Sequence, residues 1–327
     1  MRGFRSSRRG ALRNDHLGRS APFDGCTRLL RVIAILGPTA SGKSAVAMRL
    51  AETLDGHIWS VDSMQVYRHM DIGTAKPTTT ERERITHHLI DLVEPEDRYS
   101  VAEFQRSGAA ALRQAASQPI ICGGSGLHFR ALIDPLDFPP TSPAVREELE
   151  ALSSVEVTRR LLDLDSTADQ HVDLANPRRV IRALEIATLT GATPSERAAD
   201  PRTVAVREFR SDVEVHAFGI DPGKHLSERI TRRFDAMLSA GLLDEVRRLA
   251  PRLGVTAARA VGYREMLAVV NGDHSMAEGR KAAIRATVHL AKRQRTYFRK
   301  DPRIRWLPWH DDPNVLTERV LEMLRTE

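Results

Sequence analysis

Leu30-Arg31-Val32-Ile33-Ala34-Ile35-Leu36 is an apolar, β-branched run, and Gly37-Pro38-Thr39-Ala40-Ser41-Gly42-Lys43-Ser44 follows it without a break. The second stretch fits GxxxxGK[ST] at every fixed position. Beyond it Ala45, Val46, Ala47, Leu50, Ala51 and Leu54 recur at helical spacing, so the loop lies between a buried strand and a helix. Glycines lack Cβ atoms and let the backbone turn its N–H groups inward around a phosphate, while the helix N-terminus adds partial positive charge. Gly37 to Ser44 are therefore expected to bind a diphosphate or triphosphate, with Lys43 on the phosphate oxygens and Ser44 at Mg²⁺.

Outward from the loop, strand and helix patterns alternate. Strands are predicted at 57–61, 88–93 and 119–122, with a helix at about 101–116 between the last two. This order implies an α/β fold, a mostly parallel sheet flanked by helices. Ligands in such sheets bind beyond the carboxyl ends of the strands. Residues 37–44, Asp62-Ser63-Met64-Gln65 and Gly123-Gly124-Ser125-Gly126 all fall at those ends and are expected to share one cleft.

Asp62 directly follows the second strand. It fits a helix N-cap or a group around Mg²⁺, and equally a general base beside an electrophile held by the phosphate loop. The glycines at 123–126 suit either close backbone approach to a ligand or a plain strand-to-helix turn. Farther on, arginines cluster on predicted helices: Arg178, Arg179 and Arg182, then Arg229, Arg232 and Arg233, then Arg259 and Arg264, and finally the run at 292–300. Each cluster is either a solvated face or a phosphate-contacting surface. Tyr263 and Phe298 lie among them, positioned for base stacking or for the core. His69, His87 and His88 lack partners at metal-ligand spacing, and Cys122 reads as a small buried hydrophobe.

With 327 residues, 41% apolar and 28% charged, the chain is long enough for a substantial core and too apolar for a disordered or low-complexity protein. Its formal charge of +6, from 49 Lys and Arg against 43 Asp and Glu, suggests a polyanionic or phosphorylated partner. Two cysteines, Cys26 and Cys122, make neither a disulfide framework nor a Cys-rich zinc site, so a reducing cytoplasm is expected. No apolar run approaches the roughly 20 residues that span a bilayer. Residues 1–28 are Arg-rich without an apolar segment and read as a disordered tail.

Several segments together carry a resemblance. They are Gly37 to Ser44; Ser60-Val61-Asp62-Ser63-Met64-Gln65-Val66-Tyr67; Met70-Asp71-Ile72-Gly73-Thr74-Ala75-Lys76-Pro77; Asn176-Pro177-Arg178-Arg179 through Arg182-Ala183-Leu184-Glu185; Val261-Gly262-Tyr263-Arg264; and Ala291-Lys292-Arg293-Gln294-Arg295-Thr296. From about Leu29 to near the C-terminus the chain resembles the bacterial tRNA dimethylallyltransferases. The resemblance implies a P-loop NTPase-like core and transfer of a dimethylallyl group from dimethylallyl diphosphate to N6 of the adenosine 3′ of the anticodon, releasing diphosphate. It implies Asp62 as general base, with Ser125 and Arg233 at the reaction centre, and Mg²⁺ at Ser44. Contacts to the tRNA anticodon stem-loop are implied for Asp62, Ser63, Met64 and Gln65, for Arg146, for Arg178, Arg179, Val180, Ile181 and Arg182, and for Arg259, Ala260, Val261, Gly262, Tyr263 and Arg264.

The chain departs from the family's Gly-Gly-Thr-Gly-Leu-Tyr at Ser125 and at His128. Residues 142–203 read as helices bounded by Pro, Ser and Thr, and resemble the family's helical insertion that binds tRNA. The core then comprises 29–141 and 204–327, with strands at 213–220 and 303–307 and a closing helix at 315–324. A monomer is expected. A P-loop small-molecule kinase or an adenylate isopentenyltransferase is the alternative reading.

Overall fold

The computed structural model describes residues 31–326; the Arg-rich residues 1–28 and Cys26 lie outside them. Six strands form one sheet: β1 (Val32–Leu36), β2 (Gly56–Val61), β3 (His87–His88), β4 (Gln118–Gly123), β5 (Val215–Gly219) and β6 (Ile304–Trp306). Their order is β3-β2-β4-β1-β5-β6, and every pairing is parallel. Parallel neighbours need crossovers, which helices supply on both faces.

All five residues of β1 are buried, and their alternation splits the core in two. Val32, Ala34 and Leu36 join Trp59, Phe104, Phe129 and Tyr263 on one face. Ile33 and Ile35 join Leu50, Ile120, Phe218 and Val320 on the other, under the helices Lys43–Leu54 and Pro313–Arg325.

The strand expected at 88–93 is only the pair His87–His88. Leu89 and Asp91 take left-handed φ of 66° and 54°, which ends pairing, and the turn delivers the Asp91 carboxylate to buried Lys76 at 2.6 Å. Arg82 shares that carboxylate, and together the two cations hold it ionised, below the usual carboxylate range, against the opposing effect of burial.

Residues 143–207 form a run of helices, Pro143–Glu150, Ser154–Leu164, Pro177–Thr190, Pro194–Ala199 and Pro201–Arg207. Ser142, Ser153, Asn176 and Thr193 each cap one by accepting from a backbone N–H. The run has its own small core, including Leu149, Val157, Leu161, Val180 and Leu184. Among the described residues no helix is long and apolar enough to cross a membrane.

Candidate active site

A cavity of about 570 Å³ opens at the carboxyl ends of β1, β2 and β4. Thr39, Lys43, Asp62, Gly123, Ser125 and Arg233 all line it, so the three strand-end segments and the arginine of a distant helix meet at one place.

The phosphate loop is shaped by its backbone. Gly37 has φ +153°, and a Cβ there would lie 2.2 Å from the Ile220 carbonyl oxygen. Gly42 has φ +94° and immediately precedes the helix Lys43–Leu54. The Ser41 hydroxyl is buried with no hydrogen-bond partner among the described residues, a donor left for a ligand inside the loop. Lys43 Nζ folds back on the Pro38 carbonyl at 3.2 Å. Burial pulls this ammonium down to about 8, with Arg233 pushing the same way against Cys122 and Asp62. Burial also lowers the Arg233 guanidinium from its usual range, opposed by Asp62. Among the described residues neither cation has a carboxylate within ion-pair distance, so the cavity presents two cations without a direct ion-pair partner to whatever enters it.

Opposite them stands Asp62. Its Oδ1 accepts from the backbone N–H groups of Met64 at 2.8 Å and Gln65 at 3.4 Å, while Oδ2 takes no hydrogen bond from the described residues. The segment after β2 is a turn and not a helix, so Asp62 caps no helix; one oxygen orders that turn and the other takes no bond from the described residues. Ser125 caps the helix Gly126–Ile133 by position, yet its hydroxyl makes no capping bond. It meets His128 Nδ1 at 2.7 Å instead.

Ser44 is exposed at the start of its helix. No cluster of three or more His, Cys, Asp or Glu that could cage a metal exists among the described residues. Hydroxyl and carboxylate oxygens beside a phosphate loop suit Mg²⁺, which keeps several waters and leans on substrate phosphates.

The remaining expected contacts are dispersed. Ser63, Met64 and Gln65 line the cavity, as do Ala260, Val261 and Gly262. Gln65 spends its amide internally, donating to the Thr74 and Ala75 carbonyls and accepting from Ser60. Tyr263 is a correction: it is fully buried with its hydroxyl on Glu245, because its ring packs under Gly73, and its side chain cannot touch RNA. Val180 likewise sits in the small core of the helical run, and Phe298 in the main core. Ile181 packs partly against the same small core. Arg178, Arg179, Arg259 and Arg264 are exposed. Arg146 and Arg182 converge on the buried carboxylate of Glu185 at 2.6 and 2.7 Å, which also accepts from Ser142 N–H. The two arginines outweigh burial and hold Glu185 below its usual range.

Three further contributors reach the site from distant parts of the chain. Gln294 Oε1 accepts the Thr39 N–H at 2.8 Å. Glu245 accepts three successive backbone N–H groups, from Asp71, Ile72 and Gly73. Arg229 donates to the Ala40 carbonyl and pairs with Asp311, bracing the loop against the C-terminal segment. Gln294 lies in a segment that carries the resemblance and Arg229 in an arginine cluster visible in the sequence, whereas the role of Glu245 needed the fold.

A family model described as IPP transferase matches residues 65–301, and one described as isopentenyl transferase matches residues 30–93. The tRNA dimethylallyltransferase of a Nocardioides species is 41% identical over 305 residues, 88% of this chain and 94% of that protein. The tRNA dimethylallyltransferase of Streptomyces avermitilis is 43% identical over 288 residues, 85% of this chain and 90% of its own length. Among solved structures, the full-length tRNA isopentenylpyrophosphate transferase of Bacillus halodurans matches with a TM-score of 0.66 at 33% identity, covering 91% of this chain and 96% of that one. A eukaryotic dimethylallyltransferase acting on tRNA shares the fold, with a TM-score of 0.71 at 24% identity over 85% of this chain and 73% of that one.

Proposed function

The chain belongs to the tRNA dimethylallyltransferase family, and on that premise we propose how its own residues carry out the reaction. It transfers the dimethylallyl group of dimethylallyl diphosphate to N6 of the adenosine 3′ of the anticodon and releases diphosphate. One observation carries the assignment of roles: Lys43 and Arg233, neither with a carboxylate within ion-pair distance among the described residues, share a single cavity with the Asp62 carboxylate.

The diphosphate sits in the loop from Gly37 to Ser44, taken up by inward N–H groups and the Ser41 hydroxyl. Lys43 and Arg233 neutralise charge that grows on the leaving oxygen as the allylic C–O bond breaks. The electron pair of that bond leaves with diphosphate, and the N6 lone pair forms the new C–N bond. An adenine amine is a weak nucleophile because its lone pair is delocalised into the ring. Asp62 Oδ2 therefore accepts the N6 proton as the bond forms. Mg²⁺, held through Ser44 and the substrate's own oxygens, would supply further charge neutralisation.

The helical run grips the anticodon stem-loop, with Arg178 and Arg179 among its exposed cations; its expected bounds are 142–203, with the core at 29–141 and 204–327, and the helix Pro201–Arg207 crosses that boundary. The target base must leave its stack to reach the cavity, at small cost in a single-stranded loop. A monomer is proposed, and a tRNA substrate is in keeping with the cytoplasm. The deciding assay incubates the protein with Mg²⁺, labelled dimethylallyl diphosphate and an unmodified stem-loop, beside an ATP-only control. Label on the adenosine 3′ of the anticodon is the expected result. ATP hydrolysis without label transfer would return the loop to a kinase.

A further inference from the structure

His128 stands where the family's pattern has tyrosine, and its surroundings are specific. The ring is buried, meets Phe104 edge-on at 4.6 Å, and has Nδ1 2.7 Å from Ser125 Oγ. Ser125 is the N-cap of the helix Gly126–Ile133 and His128 its third residue. A serine in that position ordinarily accepts a first-turn N–H; here the imidazole has taken the hydroxyl over. Burial also lowers the affinity of His128 for a proton, against the attraction of Asp62, which favours the neutral ring. A neutral ring with its proton on Nε2 leaves Nδ1 as an acceptor. In that tautomer Ser125 donates its only proton to His128, which leaves the lone pairs of Oγ for the cavity it lines.

We propose that His128 is a positioning residue that holds the Ser125 hydroxyl as a hydrogen-bond acceptor toward the substrate amine. The N6 amine carries two protons; Asp62 takes one and Ser125 Oγ accepts a hydrogen bond from the other. The chain thereby favours an amine over a carbonyl oxygen at the same place, because an acceptor facing an acceptor is left unsatisfied. This rests on the transfer reaction assigned above and deepens it.

The test compares His128→Phe, which keeps a ring but removes the acceptor, with His128→Asn, whose Oδ1 stands near the place of Nδ1. The phenylalanine variant is expected to lower kcat about tenfold, the effect of one net hydrogen bond, with KM for dimethylallyl diphosphate unchanged. The asparagine variant should recover most of that loss. In a Ser125→Ala background His128→Phe should change kcat no further. Nitrogen-15 spectra of the wild-type imidazole should show Nδ1 bare and Nε2 protonated. Wild-type kcat in the phenylalanine variant, no recovery with asparagine, a further loss on top of Ser125→Ala, or a protonated Nδ1 would each overturn the proposal. No transfer by the wild type would instead strike the function itself, while the spectra, which need no substrate, would still decide the hydrogen bond.

Discussion

Around the cavity, Lys43 and Arg233 are half-buried and have no carboxylate within ion-pair distance among the described residues, whereas the arginines of the helical run are either in water or tied down. Arg178 and Arg179 are exposed there, and Arg146 and Arg182 share the buried Glu185. On the function proposed above, the difference follows what each region would hold. A diphosphate that enters a cavity brings its own charge, so the protein can leave cations without a direct ion-pair partner and gain the interaction on binding. A stem-loop lies across a surface, where exposed cations act through many weak, salt-screened contacts, and the helices beneath need internal clasps to present them.

The sharpest way to break this contrast is at Asp62. Asp62→Asn keeps the turn that Oδ1 accepts from but removes the base, and kcat should fall by about 10²–10⁴ with stem-loop affinity retained in a gel-shift titration; an active variant would leave Asp62 as an anchor of that turn only. Next comes Arg233→Ala, for which a loss of about 10² in kcat is expected from removing one electrostatic contact to the leaving group, measured in single-turnover assays. Glu185→Ala leaves the Ser142 N–H and two arginines without their partner, so the helical run should lose about 1–3 kcal/mol. Hydrogen exchange should quicken in Pro143–Thr190 and not in β1, and KM should rise for tRNA alone.

Lys43 gives a pH test. Its ammonium titrates at about 8 in the free site, and an arriving diphosphate favours the charged form. Affinity for dimethylallyl diphosphate should therefore be level below about pH 8 and fall above it, by up to about tenfold per unit. Calorimetry in buffers of different ionisation enthalpy should show proton uptake near pH 8, absent in Lys43→Met. The smallest effect belongs to the surface: Arg178→Ala should weaken stem-loop binding a few-fold and reduce the salt slope by about one.

The two regions were also unequally legible. A phosphate loop is written in consecutive residues, because the N–H groups that wrap a phosphate come from one turn; the strand before it and helix after it then follow from local pattern. Asp62 and Gly123 to Gly126 were readable for the same reason, as strand ends. Contacts across the fold have no such spacing. Nothing local marks Gln294 as the partner of Thr39, or Glu245 as the acceptor of three amides at 71–73. The apolar alternation at 88–93 suggested a full strand, since it did not register that buried Lys76 would draw Asp91 into a turn. Tyr263, set among arginines, looked equally suited to a base or to the core until the close fit of its ring under Gly73 decided for the core.

The strand order carries a consequence for how the protein is made. β1 is the first of the described strands to be synthesised, yet it lies between β4 and β5, with Val32 paired to Val215. During translation the central strand must wait for β5 while the whole helical run emerges in between, at ribosomal speeds a delay on the order of ten seconds or more. Through that interval one edge of β1 is bare, and the helices of residues 143–207, with a small core of their own, can assemble before the sheet is closed.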